Sequence, residues 1–146
     1  MTREMLTLAN DDPVINPFET LSALLDQFTV RAELYRDARA AYVEHNQPVD
    51  LALVQHHAGG LVGAAILASQ LSRVLEPELR MSYVDPEAAR IGSTGVDAVR
   101  DCRVAAGSVI LDLRALTGIP FGSGDVECLS MIAEARAVNE GGVHLA

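Results

Sequence analysis

The sequence predicts an all-α protein, an up-down helical bundle of four main helices with a short extra helix in the crossover of residues 78–94. Three observations support this prediction. Apolar residues recur at intervals of three and four positions, which is the period of one face of a helix. Prolines, capping residues and glycines stand where these apolar runs begin and end. No run alternates apolar and polar residues between turn signals, as a half-buried strand would.

The first helix is predicted over residues 17–45. It follows a segment, residues 1–16, that has no sustained apolar period and contains an Asn-Asp-Asp-Pro sequence. Asn16, Pro17 and Glu19 then supply an N-cap, a proline at the first helical position and an acid in the first turn. We therefore expect an N-terminal arm of residues 1–16, either frayed or laid across the body, and a single helical-bundle domain of residues 17–146.

The second helix is predicted over residues 48–75, between Pro48 at its first position and Pro77 just beyond its end. Its apolar residues cover more than one side, which is typical of a central helix that neighbours enclose. The uninterrupted apolar run, residues 58–68, is 11 residues long. A membrane span needs about 20 apolar residues, so the sequence predicts no membrane span.

The last two helices are predicted over residues 95–117 and 125–139. A Thr-Gly-Val-Asp capping box at residue 94 favours the start of the third helix, and Gly118 and Pro120 favour its end. Pro86 could begin the short extra helix of the crossover, which Gly92 would then interrupt. The glycine pair at residues 141 and 142 favours the end of the fourth helix.

Composition restricts the partners and the compartment. The chain has 146 residues and a formal net charge of −9, which opposes direct binding to the phosphate backbone of nucleic acids. It contains 2 cysteines, and no secretory apolar region follows Met1. We therefore expect a cytoplasmic protein of one domain that binds neither nucleic acid nor membrane directly.

Two adjacent histidines are the first candidates for chemistry. If the protein is an enzyme, His56 and His57, together with Glu33, are the predicted acid, base or ligand residues, because only histidine titrates near neutral pH without perturbation. Adjacent residues on a helix point about 100° apart, so both histidines reach one ion poorly. The sequence thus predicts no metal site and no cofactor, and no motif in it specifies a reaction.

The second helix carries a cluster of small residues that predicts an interface. Gly59, Gly60 and Gly63 each cost about 1 kcal/mol relative to alanine in a helix interior. With Ala64 they would let another helix backbone approach closely. We therefore predict a homodimer that uses these four residues, with close packing inside one subunit as the alternative.

Three functions fit these features. The first is a non-catalytic acidic protein that associates with itself or binds a protein partner through the glycine-rich helix and the acidic face of the first helix. The second is a small-molecule enzyme or ligand-binding bundle with a site between helices near His56 and His57. The third is an inhibitor that mimics nucleic acid. The acidic face carries five carboxylates: Glu19, Asp26 and Glu33 follow one another at seven-residue steps, Asp37 lies one turn after Glu33, and Glu44 lies seven residues after Asp37.

Overall fold

Most of the chain that the structure describes is helical. This computed structural model describes the backbone of residues 17–81 and 86–145 and the side chains of residues 19–75 and 96–139. It contains the helices α1 (Pro17–His45), α2 (Pro48–Met81), α3 (Pro86–Thr117) and α4 (Val126–Leu145), and no strand occurs among the described residues. The predicted all-α class is confirmed. The predicted arm, residues 1–16, lies outside the described residues.

The turn between α1 and α2 lies where the sequence predicts it. Asn46 adopts a left-handed conformation with φ of 52°, which asparagine tolerates better than most residues. Its backbone N–H donates to the carbonyl of Tyr42 at 2.7 Å, which satisfies one of the last acceptors of α1. Pro48 then begins α2 with its ring already at a helical φ. The two helices are thus joined by two residues only.

A glycine and an aspartate define the turn between α3 and α4. Gly118 has a φ of 73° and donates its N–H to the carbonyl of Arg114 at 2.8 Å, so it terminates α3. At the other side of the turn, Asp125 caps α4. Its Oδ1 accepts hydrogen bonds from the backbone N–H groups of Glu127 at 2.8 Å and Cys128 at 3.2 Å.

Helices α2 and α3 extend further into the crossover than predicted. α2 continues through Pro77 to Met81, because a proline near a helix end removes a single backbone hydrogen bond. The predicted short extra helix is instead the first part of α3, which runs without a break from Pro86. Gly92 costs only about 1 kcal/mol in a helix. No further proline follows until Pro120, so every N–H group needed to continue α3 is present.

The fourth helix is also longer than predicted. It runs to Leu145 and passes through the glycine pair at residues 141 and 142 that was expected to end it. Glycine weakens a helix interior but, unlike proline, retains its backbone N–H donor. Glycines therefore marked helix ends correctly at residue 118 and incorrectly at residue 141.

Helix α2 lies between α1 and α3, and α3 in turn packs against α4. α1 and α3 meet over a smaller area. The largest fully buried side chains come from α2, α3 and α4, namely Val54, Leu61, Ile110, Leu113 and Met131. From α1, Phe28 and Tyr35 complete the same core. The centre of the core thus has no aromatic side chain among the described residues, and the buried aromatic side chains come from α1.

Among the glycines that the structure describes, Gly107 of α3 lies nearest to the backbone of another helix. A Cβ atom built on Gly107 would lie 2.1 Å from the carbonyl oxygen of Met131 and 2.6 Å from its carbonyl carbon. Both distances are far shorter than van der Waals contact, so any side chain here would have to displace α4. Ala106 and Ala135, both fully buried, flank the contact. Small residues thus allow α3 and α4 to touch.

Candidate functional site

A buried arginine on α3 joins three helices. Arg103 is 12% exposed in its side chain. Its Nε and Nη2 donate to the Glu134 carboxylate, with a shortest distance of 2.6 Å. Nη1 donates to Ser69 of α2 at 3.0 Å and to Glu127 of α4 at 2.9 Å, and Nη2 also donates to Ser130 at 3.0 Å. Every N–H group of the guanidinium therefore has an acceptor.

The charges of this cluster stabilise one another. The hydrogen bond to Glu134 is the main cause that raises the pKa of Arg103. In turn, hydrogen bonds from Arg103 and then from Arg73 lower the pKa of Glu127 below its usual range. Arg73 of α2 donates to Glu127 at 2.5 Å. Arg103 and Glu127 are therefore ionised at neutral pH, and the hydrogen bonds of the cluster join α2, α3 and α4.

A cleft opens beside this cluster. Its volume is about 340 Å³, which lies near the lower end of the range for small-molecule sites. Helices α2, α3 and α4 contribute its walls. The lining contains three serines, three arginines, one glutamate and two valines: Ser69, Ser72, Ser130, Arg73, Arg100, Arg103, Glu134, Val96 and Val99. The cleft is thus polar and basic in a chain that is acidic as a whole.

A second polar cluster joins α1 to α3. Arg39 donates from Nε and Nη2 to the two carboxylate oxygens of Asp112, at 2.6 Å and 2.8 Å, and Tyr35 donates its hydroxyl to the same carboxylate. The hydrogen bond from Arg39 is the main cause that lowers the pKa of Asp112. Burial, followed by the hydrogen bond to Asp112, raises the pKa of Tyr35. At neutral pH, Tyr35 is therefore neutral and Asp112 is ionised. We interpret this cluster as one that stabilises the contact between α1 and α3.

The predicted histidines lie side by side at the surface of α2. Their ring centroids are 5.2 Å apart in an edge-to-face arrangement. His56 is exposed and His57 is half-buried. The Nδ1 atom of His57 is buried and has no hydrogen-bond partner among the described residues. Burial, then the charges of His56 and Arg31, lowers the pKa of His57, which is therefore neutral at pH 7.

Glu33, the third residue predicted for chemistry, is exposed on α1. Among the hydrogen bonds and ion pairs of the described residues, none joins Glu33 to His56 or His57. Within residues 19–75 and 96–139, no group of three or more His, Cys, Asp and Glu side chains is placed to hold a metal ion. The three predicted residues thus do not form a catalytic cluster in this part of the chain.

The four residues predicted for the interface divide between two sides of α2. Ala64 is buried in the core of the chain. A Cβ atom on Gly60 would lie 3.2 Å from Cδ of Arg31, so this glycine accommodates a side chain of α1. Built Cβ atoms on Gly59 and Gly63 meet no described atom within 4 Å. These two glycines, one helical turn apart, therefore face outward from the described part of the chain.

Apolar side chains continue this open surface along the helix. Leu53, Leu67 and Val74 are 45%, 53% and 73% exposed. They share one side of the helix with Gly59 and Gly63, because all lie within about 120° of one another at 100° per residue. No residue from 51 to 72 carries a formal charge at neutral pH. We call this surface the outer face of α2, defined by these five residues.

The outer face belongs to a helix with the length and composition of a membrane span. Residues Pro48–Leu75 are long and apolar enough to cross a membrane. In the most apolar 18-residue stretch of this segment, 39% of the stretch is buried against the rest of the described chain. Central helices of water-soluble proteins also have this length and composition, so these features alone identify neither setting. The side of α2 opposite to the outer face, including Val54, Ala58 and Ala65, is fully buried.

The acidic row of α1 is exposed along its whole length. All five of its carboxylates lie at the surface: Glu19, Asp26, Glu33, Asp37 and Glu44. Seven residues of helix span about 10.5 Å. Duplex DNA carries one charge per about 1.7 Å of its axis, so this row is much sparser than a duplex.

Both cysteines are buried thiols. Burial is the main cause that raises the pKa of Cys102, to about 11, and it also raises the pKa of Cys128. The thiolate is the reactive form of cysteine, so both side chains are unreactive at neutral pH. They serve the packing of α3 and α4.

The two charged clusters were missed in the sequence because their partners are distant along the chain. Arg39 and Asp112 are 73 positions apart, and Arg103 and Glu134 are 31 apart. One signal was present, since Glu127 and Glu134 lie two helical turns apart on one face of α4. That spacing indicates that the two glutamates share one face of α4. The sequence does not show that Arg103 packs against this face.

Comparison of the chain with protein-family models, with curated proteins and with solved structures gives no match.

Proposed function

We propose that this protein is a non-catalytic helical protein, with its four helices arranged as an up-down bundle, that acts by associating with a second copy of itself through the outer face of α2. The observation that supports it is the open space at Gly59 and Gly63, where built Cβ atoms meet no described atom within 4 Å. Glycine in a helix costs stability, and here no contact within the described chain compensates for it.

The shape of the outer face suits a helix as its occupant. Two glycines one turn apart form a shallow groove that lets another helix backbone approach closely, and Leu53 and Leu67 stand on either side of it along α2. In a two-fold dimer the same surface supplies both sides of the contact. Leu53 and Leu67 of one α2 would then pack beside the glycine groove of the other.

Charge favours the outer face of α2 over the rest of the surface for contact with a second copy. Each chain has a formal net charge of −9, so two copies repel each other over most of their surfaces. The stretch from residue 51 to residue 72 has no formal charge, and contact there brings the fewest like charges together. An isologous contact on the outer face of α2 is therefore the arrangement with the least repulsion.

Sedimentation velocity of the intact protein and of Gly63→Leu tests the proposal. We expect a dimer at micromolar concentration for the natural sequence and a monomer for Gly63→Leu, because leucine fills the groove. Measured at a concentration where both proteins are monomeric, the variant should unfold no more easily, since leucine is a better helix former than glycine by about 1 kcal/mol and the space is open.

A matched control is Ala137→Leu, which adds a similar side chain at an exposed position of α4. It should leave the dimer intact. A natural sequence that sediments as a monomer, or a Gly63→Leu variant that still dimerises, would contradict the proposal. So would a monomer that floats with phosphatidylcholine vesicles, because the outer face would then contact lipid.

A further inference from the structure

The cleft beside Arg103 is separate from the outer face of α2, and it combines features that self-association does not explain. Placing ions in a protein interior costs several kcal/mol of desolvation for each ion, and well-packed apolar residues often stabilise a fold equally well. Here Arg103, at 12% exposure, lines an open cavity and is paired with Glu127, at 21%. We propose that this cleft binds a small organic oxyanion, a carboxylate or a phosphate ester, with a compact apolar body.

The charged donors that remain available in the cleft belong to residues other than Arg103. Arg103 has no N–H group left, since each one already has an acceptor in Ser69, Ser130 or one of the two glutamates. Both carboxylate oxygens of Glu134 accept from Arg103. Arg103 therefore holds the walls of the cleft and the carboxylates of Glu127 and Glu134 in place. Other residues must bind the ligand.

Arg73 and Arg100 supply the donors. They enter the cleft from α2 and α3, and their side chains are 59% and 67% exposed. Among the described residues, Arg73 pairs through one nitrogen with Glu127, and Arg100 lies 3.7 Å from Asp97. Within residues 19–75 and 96–139, most of their N–H groups have no acceptor and can donate to a ligand. An arginine fork matches the geometry of a carboxylate or a phosphate, and the Ser72 hydroxyl lines the same cleft.

The size and the walls of the cleft restrict the rest of the ligand. A volume of about 340 Å³ admits a small molecule rather than a folded partner or a chain of several residues. Val96 and Val99 form an apolar wall beside the arginines. The best ligand therefore carries one oxyanion group and a few apolar atoms. A free inorganic ion would leave the valine wall uncovered.

Titration of the ¹⁵N-labelled protein with phenyl phosphate, hexanoate and hexylamine tests this inference. We expect saturable shifts of the backbone amides around Arg73, Val99 and Arg100 with at least one of the two anions, and the stronger binder identifies the oxyanion. Hexylamine carries the opposite charge on a similar apolar chain and should give no saturable shift.

The Arg100→Gln variant should weaken binding of the better anion by about tenfold or more, because a hydrogen bond to a charged group contributes about 1.5 to 3 kcal/mol. Arg100 is largely exposed, so the spectrum should otherwise keep its dispersion. Arg136→Gln, at an exposed position of α4 outside the cleft lining, is the matched control and should change the affinity less than about twofold. Absence of saturable binding by both anions would overturn the inference. Equal losses in the two variants, or equal binding of hexylamine, would overturn it as well.

Discussion

At the scale of single residues, two glycines in helix interiors have opposite surroundings. Gly107 lies against the backbone of α4, whereas a Cβ atom on Gly59 would meet no described atom within 4 Å. Nothing in the local sequence distinguishes these positions, because both stand among small and apolar residues. The sequence predicted close helix packing at the glycines of α2. Among the described glycines, the structure instead places the close backbone contact at Gly107 of α3.

Replacing Gly107 by alanine is expected to lower the free energy of unfolding. The added methyl group would lie 2.1 Å from the carbonyl oxygen of Met131, so α3 and α4 must separate. Overpacking of this kind costs about 1 to 3 kcal/mol, and urea denaturation measures it. Gly59→Ala is the matched control, measured at a concentration where the protein is monomeric. It should raise stability by up to about 1 kcal/mol, since alanine favours the helix and finds open space. A Gly107→Ala variant as stable as the natural protein would show that α4 yields without cost.

At the scale of helices, prolines marked starts more reliably than ends. Pro17 and Pro48 are local signals, and both helices begin there. Pro77 and Gly92 are also local signals, but the helices continue through them. A single missing hydrogen bond or a glycine costs about 1 to 3 kcal/mol, which the rest of a long helix can offset. Where the cost of one residue is weighed against the stability of the whole helix, that residue alone does not predict where the helix ends.

The contact between α1 and α3 depends on one polar cluster more than on apolar area. These two helices meet over a small surface, and the Arg39–Asp112 pair with Tyr35 lies within it. The sequence could not place this cluster, because Asp112 occurs in an apolar run of α3 where a lone carboxylate shows no partner. Packing α1 against α2 brings Arg39 to it.

Asp112→Asn is expected to destabilise the protein by about 1 to 2 kcal/mol, the loss of a charge-assisted pair that solvent partly screens. Combined with Arg39→Gln, the loss should be less than the sum of the two single losses, because either change breaks the same pair. Urea denaturation of the four proteins measures this coupling.

The pair also predicts a dependence on pH. The folded protein holds the pKa of Asp112 below its ordinary value of 3.8, so the unfolded chain takes up the proton first as pH falls. The contribution of the pair is therefore complete at neutral pH and is lost in acid, below about pH 4. Asp112→Asn should be less sensitive than the natural protein over that acid range. Additive losses together with an unchanged acid sensitivity would contradict the role given to this cluster.

At the scale of the whole molecule, charge is distributed unevenly. The chain carries a formal charge of −9, the carboxylates of α1 are exposed, and residues 51–72 of α2 have no formal charge. Two copies that meet on the outer face of α2 thus bring apolar surfaces together while the acidic remainder of each copy repels the other. Repulsion between exposed charges extends over about one Debye length, so salt controls its strength.

We therefore expect salt to strengthen the proposed dimer. Raising the NaCl concentration from about 0.01 M to about 0.1 M shortens the Debye length from about 30 Å to about 10 Å, which screens the repulsion but leaves the apolar contact unaffected. The dimer dissociation constant from sedimentation should fall several-fold. The double variant Glu33→Gln with Asp37→Asn removes two exposed carboxylates of α1 and should show a smaller effect of salt. A dimer that weakens as salt rises would be held by ion pairs, and the uncharged outer face of α2 could not then be its contact surface.

Anion binding in the cleft should respond in the opposite direction and weaken with salt, because chloride screens Arg73 and Arg100. Measurements of dimerisation and of anion binding at increasing NaCl concentration therefore distinguish the two sites.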